Sequence, residues 1–273
     1  MPPGSVFMLE IEFAQASDCG RVRDHNEDYL GCFAPEAEAE ARTLGYLFAL
    51  ADGVGGGDDG EVASKLAVET LLQDFRRTAA GVPHSSLLPR LVQQANTRVF
   101  ETGMASGPGG SNMATTLVAC ALRYDRVVVS HVGDSRCYRI RHGHAEALTR
   151  DNTVVNEHMR LGLITAGEAS SAETRHVLSR SLGPAMIVAV ETRDYQIIPG
   201  DVLLLCSDGL HGPVDADAIA QMVSRRAALP DVARELIDLA NELDGGDNVS
   251  VQLIRVRQVE RIGMYRGRPY KLA

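Results

Sequence analysis

The chain has 273 residues, of which 45% are hydrophobic and 23% are charged, and its formal net charge is −9. A chain of this length and composition can bury a substantial core, as one large domain or two small ones. The excess of acidic residues argues against broad nucleic-acid binding, because that function requires a basic surface.

Strand patterns and helix patterns occur in separate blocks along the chain. The strand patterns are rich in Val, Leu and Ile and are bounded by Gly, Asp and Pro. Strands are predicted at Met8–Ala16, Tyr29–Phe33, Tyr46–Ala51, Thr116–Tyr124, Val127–Val132, Ser135–Arg141, Val188–Gln196, Asp201–Cys206 and Val249–Val256. Amphipathic helices are predicted at Glu61–Thr78, Ser85–Ser106, Asp215–Ser224 and Asp231–Leu243. This arrangement favours an α+β fold built of layers over a doubly wound sheet.

Two segments depart from this pattern. Residues 151–180 are polar, contain short helix-like pieces and are predicted to form an excursion packed on the main body. The tail that starts at Arg257 is basic and is predicted to be a solvated or disordered end, with docking to a partner as the alternative. Its basic residues are Arg257, Arg261, Arg266, Arg268 and Lys271, and they stand against one acid, Glu260.

Short acidic segments recur at or near the ends of the predicted strands. They are Asn26-Glu27-Asp28, Ala51-Asp52-Gly53, Gly133-Asp134-Ser135, Ser207-Asp208-Gly209 and Gly246-Asp247-Asn248. Each alone is typical of a turn, because Asp bonds its own backbone and Gly accepts positive φ. Together they predict an oxygen-lined cage for Mg²⁺ or Mn²⁺. Without a cation, each pair of carboxylates at about 4 Å would cost about 4 kcal/mol near a protein surface.

The glycine-rich stretch 55–60 formally matches the dinucleotide-binding pattern GxGxxG between a strand and a helix. Asp52, Asp58 and Asp59 would stand where a pyrophosphate must bind, and a pyrophosphate needs amide donors without nearby anions. The acidic loop therefore favours a cation, and Gly53 would let its carbonyl approach one closely.

The sequence also bears on the compartment. No apolar run reaches the roughly 18–20 residues of a membrane span, and Met1 to Glu10 lack the features of a signal peptide. The cysteines are odd in number and form no CxxC pair, so we expect reduced thiols rather than disulfides or a zinc site. A cytoplasmic protein without a membrane anchor is the resulting expectation.

Taken in order, six motifs resemble those of one family. They are Arg23-Asp24-His25-Asn26-Glu27-Asp28, Ala51-Asp52-Gly53-Val54-Gly55-Gly56, Ala114-Thr115-Thr116-Leu117-Val118, His131-Val132-Gly133-Asp134-Ser135-Arg136, Cys206-Ser207-Asp208-Gly209-Leu210 and Gly246-Asp247-Asn248-Val249-Ser250. The chain is similar, over roughly Glu12 to Val256, to the bacterial form of the metal-dependent serine/threonine protein phosphatases of type 2C.

The resemblance implies an α+β fold with four layers, α-β-β-α, in which a central antiparallel β-sandwich is flanked by pairs of helices. It implies a phosphatase catalytic domain over residues 7–256, with metals bound at one end of the sandwich. Residues 151–180 would form the flap beside the catalytic cleft, and residues 257–273 a basic C-terminal tail.

The resemblance also implies the residues of the metal site. By position they are Glu27, Asp28, Asp52, Gly53, Asp134, Asp208 and Asp247. Asp52 would bridge two metals, and the Gly53 carbonyl would bind one of them. Asp208 and Asp247 would complete the cage. Two or three Mn²⁺ or Mg²⁺ ions per chain are expected.

The remaining positions have secondary roles in this resemblance. Glu27 and Asp28 would lie nearby and act partly through water. Asp134 with Asp208 resembles a third-metal site. Arg23 resembles the phosphate-binding arginine, and its planar fork suits two phosphate oxygens better than a lysine would. Arg23, Asp52 and Asp208 are thus the expected catalytic residues.

The implied activity is hydrolysis of phosphoserine and phosphothreonine in proteins by a metal-bridged hydroxide. Two cations about 3.5–4 Å apart can activate water and stabilise both oxygens of an in-line displacement. The expected partners are phosphorylated proteins, and a eukaryotic-type serine/threonine kinase would be opposed. Two alternatives remain: a catalytically silent phosphoprotein-binding pseudophosphatase, and another two-metal hydrolase such as a phosphodiesterase or nuclease.

The sequence also predicts minor roles for residues in or near these motifs. Many eukaryotic relatives place a histidine after the Asp-Gly pair, where this chain has Val54, so a metal-bound water is expected to protonate the leaving oxygen. Thr115 and Thr116 are expected to be structural. His176 is expected to be a surface or packing residue. Asn26 and Asn248 are expected to hold the acidic loops in shape.

Overall fold

The computed structural model describes residues 9–55, 58–106, 113–172, 174, 176–265 and 268–271. Several predicted positions lie outside the described residues. These are Phe7 and Met8 at the start of the predicted domain and first strand, Gly56 and Gly57 of the glycine-rich loop, Glu173 and Arg175 of the predicted flap, and residues 266–267 and 272–273 of the tail.

The described strands follow the predicted ones closely, with short additions. They are β1 (Leu9–Asp18), β2 (Asp28–Phe33), β3 (Tyr46–Val54), β4 (Ala114–Thr115), β5 (Leu117–Arg123), β6 (Arg126–Val132), β7 (Arg136–Arg141), β8 (His144–Ala147), β9 (Glu191–Gln196), β10 (Val202–Cys206), β11 (Val249–Val259), β12 (Ile262–Tyr265) and β13 (Arg268–Lys271).

The described helices include the four that were predicted and several short ones. They are α1 (Glu38–Thr43), α2 (Asp58–Arg76), α3 (His84–Ala105), α4 (Val154–Arg160), α5 (Ala166–Ser171), α6 (Asp208–His211), α7 (Ala216–Val223) and α8 (Leu229–Leu243). Within the described part of the chain, every helix is too short or too polar for a transmembrane segment. All of the cysteines are free thiols, as expected.

The strands form two main sheets, and the pairings within both are antiparallel. The first sheet has the order β1-β11-β10-β7-β8, and the second has the order β2-β3-β5-β6-β9, with β4 added beside β3. An antiparallel sheet of this kind does not fit a dinucleotide-binding fold, which is built on parallel strands.

Three apolar clusters fill the spaces between four layers. The two sheets enclose one cluster, which includes Phe48 and Leu205. The second sheet packs against α2 and α3 through a cluster that includes Leu71 and Val92. The first sheet packs against α7 and α8 through a cluster that includes Leu236. The predicted α-β-β-α sandwich is confirmed.

The topology brings the acidic segments to one end of this sandwich. Asp28 begins β2 and lies directly opposite Asp52 of β3. Asp208 follows β10, and Asp247 precedes β11, the strand that pairs with β10. Asp134 follows β6 and stands just before β7. The strands therefore deliver side chains from distant parts of the sequence to a common edge.

The tail differs from the expectation of a solvated or disordered end. β11 continues to Val259, three residues beyond the predicted end, and β12 and β13 pair with each other from Ile262 opposite Lys271 to Tyr265 opposite Arg268. Ile and Tyr favour strands, which accounts for the hairpin in an otherwise basic segment.

Candidate active site

Asp52 is fixed at the end of β3 by two threonines. The Thr116 hydroxyl accepts a hydrogen bond from the Asp52 backbone N–H at 3.0 Å, and the Thr115 hydroxyl donates to the Asp52 carbonyl at 2.9 Å. Thr116 also shares a hydrogen bond of 2.7 Å with the Ser135 hydroxyl, in the loop that carries Asp134. The two threonines therefore set the position of the central carboxylate.

Asp28 lies beside Asp52 and is buried. The Ser207 hydroxyl donates to Asp28 Oδ2 at 2.7 Å. The other carboxylate oxygen, Oδ1, is buried without a hydrogen-bond partner in the described protein. Buried carboxylate oxygens are normally satisfied, so an unpartnered one indicates a place for a ligand or water.

Asn248 connects the acidic segments to one another. Its side-chain oxygen accepts a hydrogen bond from the Glu27 backbone N–H at 2.8 Å, and its amide group donates to the His25 carbonyl at 2.9 Å. A Cβ atom at Gly209 would lie 2.1 Å from the Asn248 carbonyl oxygen, so only glycine permits this approach. Asn248 holds the loops together, as predicted, and it ties the segment after Asp208 to the one before Asp28.

Two further glycines bring Glu27 close to Asp52. A Cβ atom at Gly53 would lie 2.3 Å from the Gly60 carbonyl oxygen, and one at Gly60 would lie 2.9 Å from the Glu27 carboxyl group. The Gly53 backbone N–H also donates to the Glu27 carbonyl at 3.1 Å. The start of α2, the end of β3 and the Glu27 loop can thus meet without side chains between them.

Arg23 reaches the cleft from its open side. Its Nη2 atom lies 2.9 Å from Asp247 Oδ2, and the two side chains are 46% and 42% exposed. An ion pair this exposed contributes little to stability. The guanidinium group can therefore exchange its partner for an incoming anion at small cost.

These groups surround a cavity of about 300 Å³ at the end of the sandwich. It is lined by Arg23, Glu27, Asp52, Gly53, Val54, Gly55, Thr116, Asp134, His176, Leu178, Asp208 and Asp247. A larger cavity of about 750 Å³ shares Asp134, His176 and Asp208 with it and extends along the 151–180 segment. Every predicted site residue lines the smaller cavity except Asp28, which is buried next to Asp52.

Burial and mutual repulsion raise the pKa values of the clustered carboxyl groups. Burial raises the pKa of Asp28 to about 7, with smaller contributions from Asp208 and Asp247. The pKa of Asp52 lies well above its usual value because of burial, and then because of Asp28 and Asp208. Burial, then Asp208, raises the pKa of Asp134 to about 7. Ionising all of these groups together therefore costs free energy unless positive charge is supplied.

Asp52 and Asp208 line the same cavity. Burial raises the pKa of Asp208, and the negative charge of Asp247 raises it further. Like charges this close favour either a shared proton or a bound cation. The donors are all oxygen atoms, the ligands preferred by Mg²⁺ and Mn²⁺.

The side chains alone do not make a complete coordination shell. Among the described residues, no group of three or more His, Cys, Asp or Glu side chains is gathered closely enough to bind an ion without other ligands. The Gly53 carbonyl, which lies at the same cavity, and water would supply further oxygen ligands. This suits Mg²⁺, which usually keeps several waters. The residues present fit hydrated divalent cations.

Sequence reasoning undervalued two side chains. Ser207 bonds the buried carboxylate of Asp28 directly, although the sequence analysis gave it no role. Thr116 holds the backbone of Asp52, which agrees with the structural role expected of it. His176 is exposed, as expected of a surface residue, but it lines the cavity beside Asp208, where its positive form would lower the pKa of that acid. A lone histidine in a polar segment carries no sequence signal for this position.

The protein-family model described as protein phosphatase 2C matches residues 21–248 of the chain. The serine/threonine phosphatase stp of Listeria innocua is 33% identical over 255 residues, which cover 92% of this chain and 96% of the relative.

Solved structures give the same result. The serine/threonine phosphatase of S. agalactiae superposes with a TM-score of 0.82 at 30% identity, covering 91% of this chain and 100% of that structure. The catalytic domain of the serine/threonine protein phosphatase PstP, solved in complex with two manganese ions, gives a TM-score of 0.76 at 32% identity. That alignment covers 91% of this chain and 99% of the PstP chain.

Proposed function

The chain belongs to the protein phosphatase 2C family, and on that premise we propose that its clustered carboxylates hold the divalent cations of a phosphoprotein phosphatase. The protein is a metal-dependent serine/threonine phosphatase, as its relatives are. Its own residues support an assignment of the groups that hold the cations and of the group that binds the phosphate.

One observation carries the assignment of the metal site. Asp28 lies opposite Asp52 in the paired strands β2 and β3, and Asp208, just after β10, lines the same cavity as Asp52. Asp28 Oδ1 is buried without a hydrogen-bond partner among the described residues. Such an arrangement of acids is unstable on its own account, because each buried carboxylate raises the free energy of its neighbours.

We assign the ligands as the sequence suggested. Asp52, Asp208 and Asp247, with the Gly53 carbonyl, would hold two cations. Glu27 and Asp28 would act through coordinated waters. The cations are Mn²⁺ or Mg²⁺, as the oxygen-rich donor set favours.

A third cation would lie on the outer side of the same cluster. Asp134 and Asp208 would hold it, since both line the small cavity and the larger one beside it. Two or three ions per chain are therefore expected.

The bound cations would supply a nucleophilic water at neutral pH and neutralise charge on the phosphoryl group. The residues of the chain do the rest. Arg23 leaves Asp247 and binds two phosphate oxygens through its planar fork, which orients the phosphorus for in-line attack. Thr116 and Ser207 hold Asp52 and Asp28 in fixed positions, so that little reorganisation accompanies the reaction.

The leaving oxygen of serine or threonine must receive a proton. Val54 follows the Asp-Gly pair and lines the cavity, but it cannot donate one. We propose that a water of the site is the donor. In this scheme no side chain acts as nucleophile.

The substrates proposed are phosphoserine and phosphothreonine in proteins, including a serine/threonine kinase and the targets of that kinase, in the cytoplasm. The proposed catalytic domain spans residues 7–256. Residues 151–180 form its flap, since His176 and Leu178 line the cavity with Asp52 and Asp208. Residues 257–273 form an appended basic tail.

Hydrolysis of p-nitrophenyl phosphate with Mn²⁺, measured with and without EDTA, tests this proposal. We expect EDTA to abolish turnover and Asp208→Asn to reduce kcat by at least about 100-fold, as for loss of a major electrostatic element. Asp238→Asn is the matched control, because Asp238 is an exposed acid on α8 away from the cavity. Equal rates with and without chelator, or a fully active Asp208→Asn, would contradict the metal site.

A further inference from the structure

Another cavity, of about 660 Å³, lies far from the acidic cleft, and its charged lining residues are basic. Arg225 and Arg226 contribute from the turn between α7 and α8, and Arg255 and Arg257 contribute from β11. His142 adds a fifth group, from the β7–β8 turn. No acidic side chain lines this cavity, although the chain as a whole has a net charge of −9.

The charges of this cavity are only partly compensated among the described residues. Arg225 pairs with Glu235 at 2.9 Å, while Arg255 and Arg257 share the single carboxylate of Glu12. Arg226 forms no ion pair within the described part of the chain and is exposed. Four arginines thus face two glutamates, which leaves an excess of two positive charges.

The cavity lies at the opposite end of the first sheet from the active site. β10 begins at Val202, which lines the basic cavity, and ends at Cys206, two residues before Asp208. β11 likewise runs from the acidic end at Val249 to Arg255 and Arg257. At about 3.3 Å per strand residue, the two sites are about 20–25 Å apart along the sheet.

We propose that this basic cavity binds a second phosphate group of a phosphorylated protein segment whose first phosphate occupies the active site. The inference rests on the proposed phosphatase function. Arginine guanidinium groups bind phosphate oxygens in pairs, and a partly enclosed basic cavity strengthens that attraction. Its concave shape suits a discrete anionic group better than the flat surface of a membrane.

Such a contact would select substrates by the spacing of their phosphates. A segment that joins the two sites must pass around the sandwich, so its path is longer than the direct separation. About 14 extended residues span about 45 Å, whereas about 4 span only about 13 Å. Two phosphates on one segment would then bind with the advantage of effective concentration, provided that the spacing is long enough.

The basic tail continues from the same strand. Arg261, Arg268 and Lys271 follow Arg257 within the next residues of the sequence, after β11 has left the cavity. They increase the density of positive charge in the part of the chain that follows this cavity, and so they favour an acidic or phosphorylated partner. The basic cavity and the basic tail together would serve the docking to a partner that the sequence analysis left as an alternative.

The test uses peptides that carry one phosphothreonine, or two separated by about 4 or about 14 residues. Wild-type protein should hydrolyse the long-spaced peptide with kcat/KM about tenfold above the singly phosphorylated one, through a lower KM. Arg226→Ala/Arg257→Ala should remove this advantage and leave hydrolysis of p-nitrophenyl phosphate unchanged. The matched control is Arg90→Ala/Arg98→Ala, which removes two exposed arginines of α3 and should keep the advantage.

Binding of the same labelled peptides in EDTA, followed by fluorescence anisotropy, reports on the cavity without turnover. We expect the double variant to bind the singly phosphorylated peptide about tenfold more weakly than the wild type does, and the control variant to match the wild type.

Three results would overturn the inference: no advantage of long spacing in the wild type, an equal loss in the α3 control, or an advantage retained in Arg226→Ala/Arg257→Ala. The inference would also fail if the double variant lost affinity for phosphatidylserine vesicles or single-stranded oligonucleotides while its peptide kinetics stayed the same. Inactivity of the wild type toward p-nitrophenyl phosphate would contradict the proposed function instead, and the anisotropy would still decide about the cavity.

Discussion

The acids of the cleft are held by neighbours that do not neutralise them. Ser207 and Thr116 are uncharged. Among the described residues, Arg23 pairs with Asp247 at the exposed edge, and Arg136, two residues after Asp134, pairs with Asp151. The folded chain thus keeps several buried carboxyl groups together at a cost in stability. Strain of this kind is typical of a site that awaits a ligand of opposite charge.

Replacement of Arg23 separates phosphate binding from cation binding. Arg23→Ala should raise KM for a phosphothreonine peptide about tenfold, because a charge-assisted contact to the phosphate is lost. Arg23→Lys should restore only part of the affinity, since an ammonium group offers no planar fork. Steady-state kinetics with saturating Mn²⁺ measures both effects.

Arg21→Ala is the control for that experiment. Arg21 is exposed two residues away but does not line the cavity. If Arg21→Ala and Arg23→Ala raised KM equally, the effect would belong to the general charge of the loop, and Arg23 would have no specific role in binding phosphate.

His84 gives a pH-dependent stability that is independent of the active site. Burial, and then the charge of Arg123, lowers the pKa of this histidine to about 4 from 6.5. Since the folded form holds the neutral ring, its contribution to stability is complete above pH 6.5 and is lost as the pH falls toward 4. The loss should reach about 3 kcal/mol in full.

Urea unfolding at pH 7.5 and pH 4.5 measures this contribution. We expect the free energy of unfolding to fall by about 2–3 kcal/mol more in the wild type than in His84→Gln, which cannot titrate. The comparison of the two proteins cancels the titration of the carboxyl groups. An equal fall in the free energy of unfolding in both proteins would show that His84 keeps its ordinary pKa in the fold.

At the scale of the elements, apolar runs followed by Asp-Gly predicted strands correctly, because a strand and the turn that ends it both depend on neighbouring residues in the sequence. The runs before Asp52 and Asp208 became β3 and β10 with nearly the predicted bounds. The antiparallel pairing of β2 with β3, and the arrival of Asp52 and Asp208 at one cavity, depend on long-range topology. The convergence of these acids was predicted from the resemblance to a family and from the regular placement of acids at strand ends.

Other features could not be read from local sequence. The hydroxyl of Ser207 reaches Asp28 across 179 positions, and serine before an Asp-Gly turn is common for local reasons alone. The basic cavity has the same origin, because Arg226 and Arg257 belong to a turn and a strand that meet only in the folded sheet. The hairpin of the tail was missed because its charge outweighed its strand-forming residues.

Gly209 tests how closely the segments after β10 and before β11 must approach. In Gly209→Ala the new methyl group would lie 2.1 Å from the Asn248 carbonyl oxygen, so one of the two segments must move. We expect a loss of about 2–4 kcal/mol in the free energy of unfolding, together with weaker binding of Mn²⁺. Calorimetry measures both quantities.

Gly167→Ala in α5 is the matched control, because a Cβ atom there meets nothing within 4 Å. That change should be neutral or stabilise the protein by up to about 1 kcal/mol. A Gly209→Ala protein as stable as the Gly167→Ala protein would show that the approach of the two segments is not required.

For the whole molecule, the charges are separated along the sandwich. The acidic residues that would bind cations lie at one end of the first sheet. The arginines of the basic cavity, which outnumber the glutamates that pair with them, lie at the other end. Without cations the acidic cleft would repel a substrate that carries several negative groups, whereas the proposed phosphate site at the opposite end would attract it. Cations in the cleft would reverse the first of these effects, so substrate binding is expected to depend on metal binding.

Binding of cations should also stabilise the whole fold. At about 100 times its Kd, Mn²⁺ adds about 2.7 kcal/mol, which should raise Tm by roughly 5–10 °C in differential scanning fluorimetry. Asp247→Asn should respond much less. In EDTA at pH 8, Asp208→Asn should melt at or above the wild type, because one of the repelling carboxylates is gone. A flat response of the wild type to millimolar Mn²⁺ would count against the site.

The most direct test of the account is the position of manganese in a crystal of the protein, located by anomalous scattering. We expect peaks among the carboxylates of Asp52, Asp208 and Asp247, within ligand distance of the Gly53 carbonyl, and loss of those peaks in Asp52→Asn. Side chains that point away from one another around a cleft without anomalous density, at a manganese concentration that supports turnover, would contradict it.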